Sequence, residues 1–181
     1  MKIACIGWGS LIWNPKRLKT QNKWFEDGPF LPIEFMRISS DDRVTLIIDK
    51  KSKPVRTLWA LMTTESLEDG VKSLKDREGT SKEDIHHITS DDEPINNIQE
   101  TIKKWILEKN LDAAIWTGLS YSDKTNKMRP DIDRIIEHLD KKIDRKTQIV
   151  AEEYIRKAPI QIDTEYRRRI EKEFGWTPIE K

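Results

Sequence analysis

The sequence predicts an α+β domain on a small mixed or antiparallel sheet or barrel, and three observations predict it. Residues 2–7, KIACIG, form an apolar strand-like run at the start of the chain. Three short runs rich in β-branched and aromatic residues follow, LPIEFMRIS (31–39), RVTLIID (43–49) and VRTLWALM (55–62), separated by the turn-like SDD and DKKSKP. Helical periodicity then takes over, with one more strand-like run inside it. The order is therefore strand, meander, helix, helix, strand, helices, and not strand–helix alternation.

Taken in order, the meander gives way to a helix over 64–78. Thr63 or Thr64 serves as its N-cap, Glu65, Glu68 and Asp69 sit early, Lys72, Lys75 and Arg77 late, and Gly79 follows as a stop. Its apolar face is Leu67, Val71 and Leu74. Residues 80–94, TSKEDIHHITSDDEP, read as polar loop. INNIQETIKKWILEKN (95–110) is an amphipathic helix, DAAIWTGL (112–119) a buried strand and YSDKTNKMRP (121–130) a loop. From Asp131 onward the pattern is helical over about 131–141, 145–157 and 163–174, with FGW as a cap.

The bulk numbers bound the function. A chain of 181 residues suits one domain with a real core. The 33 Lys+Arg against 32 Asp+Glu give no net basic surface, which argues against general nucleic-acid binding. Charged residues make up 36% of the chain, above the usual quarter or so, so the helices should be well solvated. Seven tryptophans suggest a core or cleft lined with large flat side chains. The single cysteine, Cys5, allows neither an intramolecular disulfide nor a cysteine-based zinc site, and reads as a small buried core residue. No run reaches transmembrane length and the start carries no signal-peptide pattern, so a cytoplasmic protein without membrane association is the expectation.

The stretch IGWGSLIWNP (6–15) is the first candidate site. A dinucleotide fingerprint would put a third glycine where Ile12 stands, and Asn14-Pro15 blocks the helix it needs. No Gly-Lys-Ser/Thr follows, which excludes a P-loop. Ser10 lacks the flanking pattern of a nucleophile elbow, and His86, His87 and His138 are not tied to it by sequence, so a turn-capping serine is the simpler reading. A third possibility is a loop whose backbone N–H groups hold an anion such as a carboxylate.

Glu78 is the second candidate. It lies four residues beyond Leu74, so it continues the apolar face of its helix, and it stands at the C-terminal end. Burial and the helix dipole both favour the neutral form of a carboxyl so placed, which suits general acid/base work. The competing reading is a frayed last residue pointing to water. Among smaller signals, His86-His87 have poor metal-ligand spacing and read as solvated loop. Arg37 or Arg43 could meet a substrate carboxylate, against a surface ion pair with Asp41 or Asp42. Trp13, Trp59 and Trp116 read as sheet packing, and Tyr154 and Tyr166 as core-edge residues that could offer hydroxyls to a pocket. Arg167, Arg168 and Arg169 read as a solvated helix face in preference to a nucleic-acid contact.

Together, IGWGSLIWNP, FMRISSDDRVTL, VRTLWALM and SLEDGVKSLKDREG resemble the γ-glutamylcyclotransferase-like superfamily, closest to its ChaC-type branch, over about residues 3–80 and weakly at AIWTGL. Trp8-Gly9-Ser10-Leu11 matches the family's aromatic-Gly-Ser loop, with Trp where Tyr is usual, and Glu78 matches its catalytic glutamate. The resemblance implies a small β-barrel with peripheral helices in a single domain over 1–181. It implies that Gly7, Trp8, Gly9, Ser10 and Leu11, with Arg37 as a further candidate, bind a γ-glutamyl substrate. Glu78 would take a proton from the α-amine as that amine attacks the γ-carbonyl, giving 5-oxoproline without metal or cofactor. The chain departs from the family at 80–110, which reads as an insertion with its own helix, at the missing aromatic after Glu78-Gly79, and at a helical C-terminal extension over about 131–176. A differently specific or non-catalytic member that binds a small ligand or a protein partner is the alternative. Leaving group and oligomeric state are open.

Overall fold

Two compact units make up the chain in the structure, a computed structural model that describes residues 1–121 and 127–179. The first comprises Met1–Gly7, Asn14–Leu31 and Arg56–Gly118; the second comprises Trp8–Trp13, Pro32–Val55 and Leu119–Lys181. Part of the loop predicted over 121–130 lies outside the described residues. The secondary structure is α+β, as expected, but among the described residues there is no closed barrel.

The first unit is an open, mixed five-stranded sheet. Its strands are β1 (Ile3–Gly7), β2 (Thr20–Phe25), β7 (Leu58–Met62), β8 (Ile85–Thr89) and β9 (Ala113–Thr117), in the order β2-β7-β1-β9-β8. β1 runs antiparallel to β7 and parallel to β9. All five residues of β1 are buried, as the unbroken apolar run KIACIG predicts for a strand covered on both faces. The covers are two helices. In α1 (Leu67–Glu78) a Cβ on Gly70 would lie 3.6 Å from Ile115 and 3.9 Å from Ile3, so α1 packs on the face carrying those side chains. In α2 (Asn97–Glu108) Trp105 meets Trp59 edge-on at 5.4 Å between ring centroids. Trp59 stands opposite Ile6 in the ladder, so α2 covers the other face.

Here the expected three-strand meander is corrected. β7 pairs with β1 and β2, and the run 55–62 is split at Thr57 into β6 (Val55–Arg56) and β7. Thr57 turns its backbone and hydroxyl to the 28–29 segment, with Thr57 N–H donating to the Pro29 carbonyl at 3.1 Å and the hydroxyl at 2.7 Å. Two strands were not predicted. β2, TQNKWF, is a largely exposed edge with a bulge at which Asn22 has φ 55°. β8, IHHIT, replaces the expected loop over 80–94; Ile85 and Ile88 are buried, His86 and His87 exposed. The two isoleucines lie on opposite faces of an edge strand, so no alternation announces it. The α1 N-cap is Ser66, whose hydroxyl accepts from the Asp69 N–H, and not Thr63 or Thr64.

In the second unit, β4 (Ile33–Ile38) and β5 (Val44–Ile48) form the expected hairpin, closed by a turn in which Asp42 takes φ 64°. α3 (Ile132–Glu137) runs on through a π-helical turn at His138–Lys142; α4 (Arg145–Lys157) and α5 (Glu165–Phe174) follow, close to the predicted spans. α4 packs on β5 and α5 on β4. Of the Arg167–Arg169 run only part is solvated: Arg167 is 1% exposed. Its guanidinium donates to the carbonyls of Ile155 (3.3 Å) and Ala158 (2.8 Å) at the end of α4, and to Pro159 (2.7 Å) and Ile162 (3.0 Å), and it pairs with Glu171 at 3.1 Å. One buried cation thus terminates α4 and holds α5 to it. Arg167→Met should leave those carbonyls without donors and cost about 3 kcal/mol. Urea unfolding of the full chain measures this; a change below about 0.5 kcal/mol would show the cap to be dispensable.

Candidate functional site

Glu78 ends α1, and Gly79 follows it in the left-handed conformation (φ 64°) that stops the helix and that L side chains adopt at a cost. The Glu78 side chain is 16% exposed, so the helix end does not fray into water. It is not a solitary carboxylate either. Arg77, 6% exposed, donates to Glu78 Oε1 at 2.6 Å and, with its other terminal nitrogen, to the Asn14 carbonyl at 2.7 Å. Asn14 is the residue at which the chain re-enters the first unit, and Gly7 is the one at which it leaves. Cys5 occupies the same stretch of β1. It is fully buried, and burial, then the negative charge of Glu78, push its thiol pKa up while Arg77 opposes them. Cys5, Arg77 and Glu78 are therefore one electrostatic neighbourhood within the first unit, which Arg77 extends to the Asn14 carbonyl.

The opening stretch after Gly7 belongs to the second unit. Trp8 is 4% exposed and donates its indole N–H to the Leu46 carbonyl at 3.4 Å. Ile12 N–H donates to the Gly9 carbonyl at 3.0 Å, which makes Gly9–Ile12 a tight turn. Leu11 is buried and Ser10 half-buried. The described glycines with positive φ are Gly79 and Gly175, so Gly9 is not needed for a left-handed conformation. It is needed for space: a Cβ there would lie 2.5 Å from the Tyr154 hydroxyl. The turn therefore owes its glycine to a neighbouring side chain.

Arg37 donates to the Ser120 carbonyl at 2.8 Å, while Arg43 makes the ion pair with Asp41 at 2.7 Å. Both smaller expectations for the aromatics hold in part. Trp59 and Trp116 pack the sheet, whereas Trp13 packs edge-on against Tyr154 at 5.4 Å in the second unit. Tyr166 is buried and donates its hydroxyl to the Pro130 carbonyl at 3.1 Å. His86 leans on Trp116, and His138 sets a ring nitrogen 2.8 Å from the Asp42 carbonyl. Among the described residues no group of three or more His, Cys, Asp or Glu is placed to hold a metal ion, and no helix is long and apolar enough to cross a membrane.

Two features of the second unit escaped the sequence reading. A cleft of about 800 Å³ is lined by Asp42, Asp131, Glu137, His138 and Lys142 among others, and a cavity of about 270 Å³ by Glu34, Ser52, Arg129, Thr164 and Tyr166 among others. Neither is lined by Trp8–Leu11 or Arg37. Two nearly fully buried carboxylates stand near the smaller cavity. Burial raises the pKa of Glu34, against hydrogen bonds from the Thr164 hydroxyl, Phe35 N–H (2.8 Å) and Tyr166 N–H (3.2 Å). Asp49 goes the other way. Burial would raise it, but Arg129 (3.0 and 3.1 Å), Ser52 (2.6 Å) and Tyr121 outweigh burial and lower its pKa. In a strand reading, Glu34 and Asp49 were simply the polar residues among apolar ones; only their burial marks them.

A scan of protein-family models, a search of curated proteins and a search of solved structures each found no match to this chain.

Two outcomes follow from these environments. Cys5 should react with a thiol reagent about a thousandfold or more slowly in the native chain than in urea, because the thiol is reached only through opening; comparable rates would place it at the surface. Asp49→Asn should lower stability at pH 7 by about 1–3 kcal/mol. Because the folded pKa of Asp49 is depressed, its contribution is present above the unfolded value of 3.8 and is lost as pH falls through the folded one. Unfolding curves of the two proteins should therefore converge only below about pH 4.

Proposed function

We propose that this protein is a γ-glutamyl cyclotransferase-type enzyme that releases 5-oxoproline from a γ-glutamyl amine or peptide. The observation that supports it best is Glu78: a carboxylate 16% exposed at the end of α1, held by Arg77 and close enough to Cys5 of β1 to act on its thiol. In this reading the α-amine of the γ-glutamyl group attacks its own γ-carbonyl. A bond forms between the α-nitrogen and the γ-carbon, and the bond from that carbon to the leaving nitrogen breaks. Glu78 accepts the proton that the α-nitrogen loses and returns it to the leaving amine, so the enzyme ends as it began. Holding the glutamyl chain curled removes most of the entropic cost of closing a five-membered ring. Backbone N–H groups of the loop that follows Gly7 are assigned to the α-carboxylate, as the resemblance implies, with Arg37 as a further candidate. A cytoplasmic location belongs to the same proposal.

A second reading has its own observation. The Arg77 guanidinium joins Glu78 to the Asn14 carbonyl, which is also what a purely structural clasp would look like in a non-catalytic or differently specific ligand-binding protein. Glu78→Gln separates the two, because glutamine keeps an acceptor for Arg77 but accepts no proton. Wild type and variant are incubated with glutathione, γ-glutamyl dipeptides and γ-glutamyl-lysine, and 5-oxoproline is followed by mass spectrometry. The expected result is release by the wild type and a loss on the order of a thousandfold or more in the variant, with both proteins assayed well below their melting temperatures because the variant loses its ion pair to Arg77. Equal release by both removes Glu78 from the chemistry, and no release from any substrate favours the binding protein.

A further inference from the structure

Tyr154 touches both ends of the opening loop. Its hydroxyl occupies the place a Cβ on Gly9 would take, 2.5 Å away. Its ring meets Trp13 edge-on at 5.4 Å. It is 8% exposed, its ring is flanked by Phe35 at 6.4 Å and by the Arg43 guanidinium at 5.7 Å, and Leu46 N–H donates to its hydroxyl oxygen at 3.5 Å. The same residue, Leu46, accepts from the Trp8 indole through its carbonyl. Loop and tyrosine are thus referred to one fixed point on β5, the loop through Trp8 and the tyrosine through its hydroxyl.

We propose that Tyr154 is the positioning residue of the loop: its hydroxyl and ring fix the Gly9–Ile12 turn and, through it, the backbone groups that meet the carboxylate end of the substrate. The second half of this statement rests on the cyclotransferase reading; the first half does not. It explains why position 9 is glycine although its φ is ordinary. It also sets the direction of approach, since the face of the turn that a glycine would leave open to a ligand is filled by a phenol.

The geometry supplies a cycle of substitutions. Gly9→Ala places its methyl 2.5 Å from the hydroxyl oxygen, which neither atom tolerates, whereas the next ring atom, Cζ, is 3.5 Å away, an ordinary contact. Tyr154→Phe should therefore make room for the methyl, and the double variant should be less perturbed than Gly9→Ala alone. The Ile12 amide reports the turn directly, because it bonds to the Gly9 carbonyl. Its hydrogen exchange is measured in the full-length wild type, both single variants and the double variant, together with kcat and KM for 5-oxoproline release. Exchange at Ile12 should quicken on the order of tenfold in Gly9→Ala, less in Tyr154→Phe, and return in the double variant to the Tyr154→Phe value. KM should follow the same order, on the order of tenfold at the largest, with kcat falling far less because Glu78 is untouched. Additive effects in exchange would overturn the clamp. A rescue seen in exchange but not in KM would overturn its role toward substrate. Absence of turnover in the wild type sinks the cyclotransferase reading and that role with it, while the exchange cycle still decides the clamp.

Discussion

The guanidinium of Arg77 is the interaction on which the candidate site depends. A cation that is 6% exposed must be compensated where it stands, and the Glu78 carboxylate and the Asn14 carbonyl are among its acceptors in the first unit. Each bond fixes a different part of the chain. The bond to Glu78 keeps the last side chain of α1 from rotating outward, although Gly79 has already ended the helix behind it. The bond to Asn14 fixes the point at which the chain returns after the opening loop. Two residues next to each other in sequence, one of each charge, thus tie a helix end to the segment by which the chain returns to the first unit. The sheet makes this possible because β1, hydrogen-bonded on both sides and covered on both faces, cannot shift to accommodate a misplaced helix.

The second unit solves a comparable problem with the same chemistry. α4 ends without a left-handed cap: Ala158 has φ −59° and ψ 136°. Its last carbonyls would be left unsatisfied in a buried place, and Arg167 supplies the donors. At the start of α5 the Glu34 carboxylate receives the Thr164 hydroxyl and the Tyr166 N–H, so β4 is held to the helix that packs on it. The price of this arrangement is two buried ionisable side chains, Glu34 and Arg167. Each is met by a fixed set of partners, which gives a small, polar-rich unit a defined geometry that apolar area alone would not specify.

How much of this could be read from the sequence depended on whether the signal was local. β1, α2, β9 and the three C-terminal helices were legible because each carries its own periodicity and caps: Asn96, Asp131, Asp144 and Thr164 all accept an N–H of the first turn. β2 and β8 were not, because edge strands need neither alternation nor apolar bulk. The meander was misread because adjacency in sequence was taken for adjacency in the sheet; β7 takes its place between β1 and β2, a choice made by long-range pairing. Glu78 was found from its position on an apolar face, but its partner Arg77 was counted only as a charge suited to a helix end. Arg167 was missed for a related reason. A run of three arginines looks solvated, and nothing in a run says which member is turned inward to meet orphaned carbonyls.

The Arg77–Glu78 pair also bears on the chemistry. In the proposed reaction a γ-glutamyl substrate arrives with an ammonium group, and only the free amine can attack the γ-carbonyl. Two unit charges about 4 Å apart interact by about 4 kcal/mol at an effective dielectric constant of about 20, equivalent to about three pKa units. An isolated carboxylate would hold that ammonium as a salt and resist giving up the amine. A carboxylate whose charge is already matched by a guanidinium presents the incoming ammonium with a pair that is neutral overall. The guanidinium of that pair is a like charge to the ammonium, and like charges side by side favour the neutral amine. In the proposed reaction the structural and catalytic roles of Arg77 would not be rivals, because the cation that fixes the helix end is also the one that favours the free amine.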